Sequence, residues 1–180
     1  MYTDRTLLPK ECLRLCALGT LALSDKPISY ADLANQVRHF TAHIMGPSLD
    51  MMGSSLQLLK LEGLVRETCS AGGKGEGELS LTDAGRSKFN ELMQGTLRDT
   101  SGELSRLVMA LKMRFLHLLD AETRQDQVEI LKDVCELDLD RILALRDQHE
   151  NDEGAFISWI DMEIARLKQK QAWLETLVTG

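Results

Sequence analysis

Rings are scarce in this chain of 180 residues: two Trp, two Tyr and four Phe, 4% in all. An ordinary globular mixture so poor in aromatics and so rich in Leu and Met favours packed helices over a β-sandwich. No stretch approaches the eighteen or so uninterrupted apolar residues that a membrane span needs. The short apolar run over residues 13–23 is broken by Arg14 and is followed by no small-residue cleavage site, so a secretory leader is not expected and the cytoplasm is. Cysteine is sparse and carries no CxxC pair. Cys12, Cys16, Cys69 and Cys135 therefore point to free thiols in a reducing compartment. Cys12 and Cys16 lie one helical turn apart, a spacing open to a redox sensor but more simply read as small residues filling a core.

Catalytic signatures are missing as well. The sequence has no GxSxG, no HExxH and no GxxxxGK, and the glycines after Ser70 do not run into Lys-Ser/Thr at a helix start. An enzyme is not expected, nor a cofactor. Excess positive charge is also lacking: the formal net charge is −7. Its distribution is uneven. Residues 1–95 carry 10 Lys/Arg against 11 Asp/Glu, and residues 96–180 carry 11 against 17. The acidity thus belongs to the second half, and a local basic surface remains open in the first.

The chain does carry a legible order of elements. Pro9 suits a first helical position, and Cys12, Leu15, Cys16, Gly19 and Leu23 recur at helical spacing up to the stop at Asp25-Lys26-Pro27. Ser29 predicts the cap of a second helix, with Asp32 in its first turn and Ala31, Leu33, Ala34, Val37 and Phe40 facing inward. After the turn Gly46-Pro47, Ser48 caps a third helix with Leu49, Met52, Leu56 and Leu59 on one face, ended by Gly63. Residues 64–69 and 78–81 read as antiparallel strands. The loop between them has four glycines in the eight residues 70–77. Thr82 then caps a fourth helix over residues 83–97.

Three helices, then strand, flexible loop and strand, is the order of a winged helix-turn-helix. In that fold the first two helices hold the third so that its outer face can enter a major groove. The second half shows only helical periods: residues 103–119 with Leu104, Leu107, Val108, Leu111, Phe115 and Leu118; residues 121–149 with Val128, Leu131, Val134, Cys135, Leu139, Ile142 and Leu145; and residues 156–178 with Phe156, Trp159, Ile160, Glu163, Leu167, Trp173, Leu174 and Leu177. Two long antiparallel helices cannot bury such seams alone, and a second copy is the simplest partner. The expected architecture is mostly α: a winged helix-turn-helix DNA-binding domain over residues 1–98 and a helical dimerisation domain over residues 99–180.

With these elements in place, the sequence resembles the PadR family of bacterial transcriptional regulators, nearest to its AphA-like members with a long helical C-terminus. The resemblance rests on residues 17–22 (Ala-Leu-Gly-Thr-Leu-Ala), residues 28–33 (Ile-Ser-Tyr-Ala-Asp-Leu), residues 56–65, the run Leu81-Thr82-Asp83-Ala84-Gly85-Arg86, and residues 110–119. It implies a homodimer binding a pseudo-palindromic double-stranded DNA operator, usually as a repressor and sometimes released by a small-molecule effector. Tyr30 matches a family tyrosine that commonly touches the DNA backbone. Gly53 stands where the family usually has a tyrosine on the recognition helix, a departure from the usual contacts.

The candidate DNA contacts follow from these positions. Asp50, Ser54, Gln57 and Lys60 lie off the apolar stripe of the third helix, and Ser48 at its cap is a further candidate contact. There Gln57 could read adenine, while Ser54 and Lys60 could bond phosphates; all are otherwise ordinary solvated positions. Lys74 at the wing tip, with Arg66 and Arg86 flanking the wing, supplies cations, although Glu76 and Glu78 dilute them. Leu111, Phe115, Leu118, Trp159, Leu167, Trp173 and Leu174 are the candidate dimer contacts. The two tryptophans could equally line an effector pocket. His39 and His43 are one turn apart but have no third ligand nearby, so surface histidines are the plainer account and no metal is expected. The near-neutral first half also admits a different class of function: a winged helix turned to protein contact, as an adaptor or anti-repressor.

Overall fold

The computed structural model describes residues 6–46, 52–68, 77–97 and 99–178, with side chains from residue 56 in the third helix and to 177 in the last. The described elements are α1 (Pro9–Leu23), β1 (Ile28–Ser29), α2 (Tyr30–Met45), α3 (Met52–Leu61), β2 (Val65–Thr68), β3 (Glu78–Leu81), α4 (Asp83–Met93), α5 (Glu103–Phe115), α6 (Ala121–Gln148) and α7 (Ala155–Val178). The fold is mostly helical with one small antiparallel sheet, as a winged helix-turn-helix requires.

Local chemistry explains most boundaries. Pro9 opens α1, where its missing N–H costs nothing, and the Glu11 carboxylate accepts the Leu8 N–H at 2.7 Å. The Ser29 hydroxyl oxygen accepts the Asp32 N–H at 3.1 Å and so caps α2. Asp120 caps α6 in the same way, accepting from the Thr123 N–H at 2.9 Å. That bond, with a second from the Thr123 hydroxyl at 2.8 Å, holds the Asp120 carboxyl below the usual carboxylate range.

Four expectations change. β1 was not expected from the sequence; it pairs Ile28 with Leu79 and Ser29 with Glu78, giving the sheet order β1-β3-β2. Two residues are too short for a period of two to show. On α2, Leu33, Val37 and Thr41 are the buried residues and Ala31 is exposed. α4 stops at Met93 rather than near 97, because the chain turns at Gln94 and Thr96 pairs with Thr6 in a single parallel bridge. α5 ends at Phe115 and tightens into a 3-10 turn over Leu116–Leu118.

The chain forms two compact units. The first holds residues up to 96 together with Gly102–Leu119, so α5 packs within the winged-helix unit rather than beyond a boundary at 98. Its core joins Leu13, Leu15, Leu18, Leu33, Leu59, Leu79, Phe89, Leu107, Leu111 and Phe115, with Phe89 and Phe115 edge to face at 5.9 Å between ring centroids. The Arg114 guanidinium lies over the Phe40 ring at 4.7 Å and the Phe115 ring at 5.2 Å, tying α5 to α2. Lys112 is fully buried here and donates to the Met93 carbonyl at the end of α4; burial lowers its pKa to about 7.

The second unit is the hairpin of α6 and α7 with the connector Leu97–Ser101. Its two helices run in opposite directions. Cys135 Sγ donates to the Leu167 carbonyl at 3.5 Å, and the Arg146 guanidinium meets the Asp161 carboxylate at 2.9 Å. The connector is held at Thr100, whose N–H donates to Asp138 at 2.6 Å and whose carbonyl accepts from Lys170 at 3.3 Å. Among the described residues, no helix is long and apolar enough to cross a membrane.

Candidate nucleic-acid interface

The third helix is fixed by its end. Gly63 takes the left-handed conformation, with φ of +70°; its N–H reaches the Lys60 carbonyl at 3.1 Å, and the Leu64 N–H reaches the Leu59 carbonyl at 2.9 Å. These two bonds make a Schellman end, which a residue with a Cβ would strain. The start of α4 then locks onto it. The single hydrogen on Thr82 Oγ1 is shared between the Gly63 and Leu64 carbonyl oxygens, 2.8 and 2.9 Å away, and the oxygen accepts the Gly85 N–H at 3.0 Å. A Cβ on Gly85 would stand 2.0 Å from the Leu64 carbonyl oxygen, so only glycine permits this approach. The run Leu81-Thr82-Asp83-Ala84-Gly85-Arg86 therefore couples the end of α3 to the base of the wing.

The wing strands pair in register: Val65 with Leu81, Arg66 with Ser80, Glu67 with Leu79 and Thr68 with Glu78. Leu56 and Leu59 turn α3's inner face into the core. Gln57 and Lys60 are exposed. Lys60 is nevertheless engaged: its ammonium pairs with Glu67 on β2. The neighbouring Arg14 on α1 pairs with Glu62. Arg66 on β2 and Arg86 in the first turn of α4 are exposed, and Tyr30 is half-buried at the first position of α2, directly after β1. Ser48 and Lys74 lie outside the described residues, as does the side chain of Ser54. Leu58 and Leu61, which the sequence reading passed over, are exposed on the outer side of α3, 42% and 82% respectively. The signal was available: with Leu56 and Leu59 inward, leucines two positions further on must point the other way.

The dimer candidates divide. Leu111 and Phe115 are fully buried in the first unit, which corrects their assignment to a contact with a second copy; Leu118 is half-buried. Leu167 and Leu174, with Ile160, form the inner row of α7 and are buried. Trp159 and Trp173 are 47% and 45% exposed, and Phe156 and Met162 are exposed beside them. Phe156 stacks on Trp159 at 6.1 Å between ring centroids.

His43 Nδ1 donates to the His39 carbonyl at 2.7 Å, which commits one ring nitrogen to its own helix. Among the described residues no group of three His, Cys, Asp or Glu is placed to hold a metal. Cys12 and Cys16 are fully buried, and desolvation pushes their thiols up to about 12 and about 11. Both stay protonated at neutral pH, the inert rather than the reactive form.

A model of the AphA-like transcriptional regulators matches residues 2–178. No curated protein matches the chain. Among solved structures, Bacillus subtilis PadR in complex with operator DNA is 16% identical, covering 93% of this chain and 96% of that one, with a TM-score of 0.37. Bacillus subtilis PadR in complex with p-coumaric acid is 15% identical over 96% and 97%, with a TM-score of 0.39. The protein smu.1604c from Streptococcus mutans UA159 is 16% identical over 97% and 100%, with a TM-score of 0.38.

Proposed function

Because the chain belongs to the family of AphA-like transcriptional regulators, which are not enzymes, we propose that it is a sequence-specific DNA-binding repressor acting as a homodimer in the cytoplasm. The observation that carries this reading is α3. Its inner face is committed to the core through Leu56 and Leu59, its end is fixed by Gly63 and Thr82, and among its described side chains Gln57, Leu58 and Leu61 are exposed on the outer side. A helix anchored on one side and exposed on the other, beside a two-stranded wing, is what major-groove insertion needs. In this reading Gln57 faces the bases, Arg66 and Arg86 face phosphates, and Tyr30, at the N-terminus of α2, contacts the DNA backbone. The dimer contact falls to the exposed side of α7, where Trp159, Trp173, Phe156 and Met162 offer the aromatic and methionine surface that interfaces favour.

Titration of the protein onto promoter fragments, its own upstream region included, tests the proposal. Specific binding that weakens steeply as salt rises is expected, with a slope near −0.9 per neutralised phosphate. Equal affinity for every fragment and for random DNA would refute it.

A second reading is favoured by one observation. The pairing of Lys60 with Glu67 and of Arg14 with Glu62 neutralises charge around α3. That suits a winged helix serving as a protein-contact adaptor or anti-repressor. Binding of a protein partner with no salt-dependent DNA binding would decide for it.

A further inference from the structure

The outer face of α3 carries an unusual chemistry for a base-reading helix. Leu56 and Leu59 are buried, so the side chains opposite them on the same turns are Leu58 and Leu61, with Gln57 beside them. Lys60 lies to the flank, drawn to Glu67 on β2. Leu61 is the most exposed large apolar residue among those described. Guanine is usually read by a bidentate Arg or Lys. Among the described side chains, this face presents an amide and two leucines instead. In the major groove the one apolar group a base displays is the C5-methyl of thymine.

Resting on the DNA-binding reading above, we infer that Leu58 and Leu61 are specificity-determining residues that pack on thymine C5-methyl groups in the operator half-site. The choice of occupant follows from continuity with Gln57. The same helix face that places an amide against an adenine edge places apolar side chains one position and one turn further along, where the adjoining A·T pairs display methyl groups. Each leucine–methyl contact removes about one methylene's worth of apolar surface from water, an effect of about fourfold in affinity.

Replacing thymidine by deoxyuridine deletes this methyl and leaves base pairing intact. An operator obtained by selection from random sequence is substituted one position at a time and titrated with the wild-type protein and with Leu58→Ala and Leu61→Ala. Both leucines are exposed, and circular dichroism verifies that the variants fold. Wild-type protein is expected to lose about fourfold in affinity at one or two thymines of each half-site. At those positions the matching alanine variant should no longer distinguish thymidine from deoxyuridine. Indifference of the wild type to every deoxyuridine, or variants that keep its profile, overturns the assignment while leaving the DNA-binding reading intact. Variants that weaken binding equally on both operators also overturn it, since the loss is then not a methyl contact. Failure to select any operator defeats the DNA-binding reading first and this inference with it.

Discussion

Lys112 offers the sharpest test of how the first unit is packed. Its side chain is fully buried beneath α4, and burial lowers its pKa from 10.5 to about 7. The sign follows from linkage. Below pH about 7 the lysine is charged in both folded and unfolded chains, and the folded state bears the full desolvation cost. Between about 7 and 10.5 the unfolded chain keeps its proton while the folded chain sheds it, so stability rises with pH. From pH about 7 to about 8.5 the gain is on the order of 1–2 kcal/mol, allowing for partial titration at the lower end. Cys12 and Cys16 act in the opposite sense above their ordinary value of 9.0, because their folded thiols hold protons that the unfolded chain loses. The comparison is therefore made below pH about 9, against Lys112→Met, which keeps much of the volume and removes the charge. Urea unfolding followed by circular dichroism, at one protein concentration, gives the two stability profiles. The wild type should gain on the variant by about 1–2 kcal/mol across that window. The variant's absolute stability is not diagnostic, since it also leaves the Met93 carbonyl without its lysine donor. Parallel profiles for the two proteins would show that Lys112 is hydrated or fully charged in the folded state, and the packing of α5 under α4 would need revision.

Other perturbations bear on the proposed recognition helix and the proposed dimer. Gly85→Ala drives a methyl into the Leu64 carbonyl and should cost about 1–3 kcal/mol in urea unfolding; a change within about 0.5 kcal/mol would contradict the close approach. Thr82→Val keeps the shape but removes the hydroxyl that joins α3, the wing and α4. A loss of about 1–2 kcal/mol is expected, together with weaker DNA binding at temperatures where the protein remains folded. Trp159→Ala and Trp173→Ala should each raise the dimer dissociation constant by at least about tenfold in sedimentation equilibrium while leaving a folded chain. Unchanged self-association in both would move the dimer contact off α7.

Much of the fold was legible because it is written in short-range chemistry. Pro9, Ser29, Gly63 and Thr82 each mark a boundary through a bond or a dihedral made within a few residues. The glycine-rich loop between two strands announced the wing in the same way. What escaped had no local signature. β1 is two residues long and exists only because β3 passes beside it. Leu111 and Phe115 have the same apolar spacing whether they face a second copy or the interior of their own unit, and periodicity reports burial without naming the partner. Lys60 reads as a free cation until Glu67 is brought alongside from β2.

By itself, then, the chain's order of amino acids determined the elements, their caps and the family, because helix and turn preferences act over a turn or two of backbone. Tertiary packing decided which apolar stripe faced which neighbour: α5 into the winged-helix unit, the tryptophans of α7 outward, Leu58 and Leu61 to the open side of α3. The physical reason is that apolar burial is non-directional and long-range in sequence. A leucine records that it wants to leave water, and only the assembled fold shows where it can.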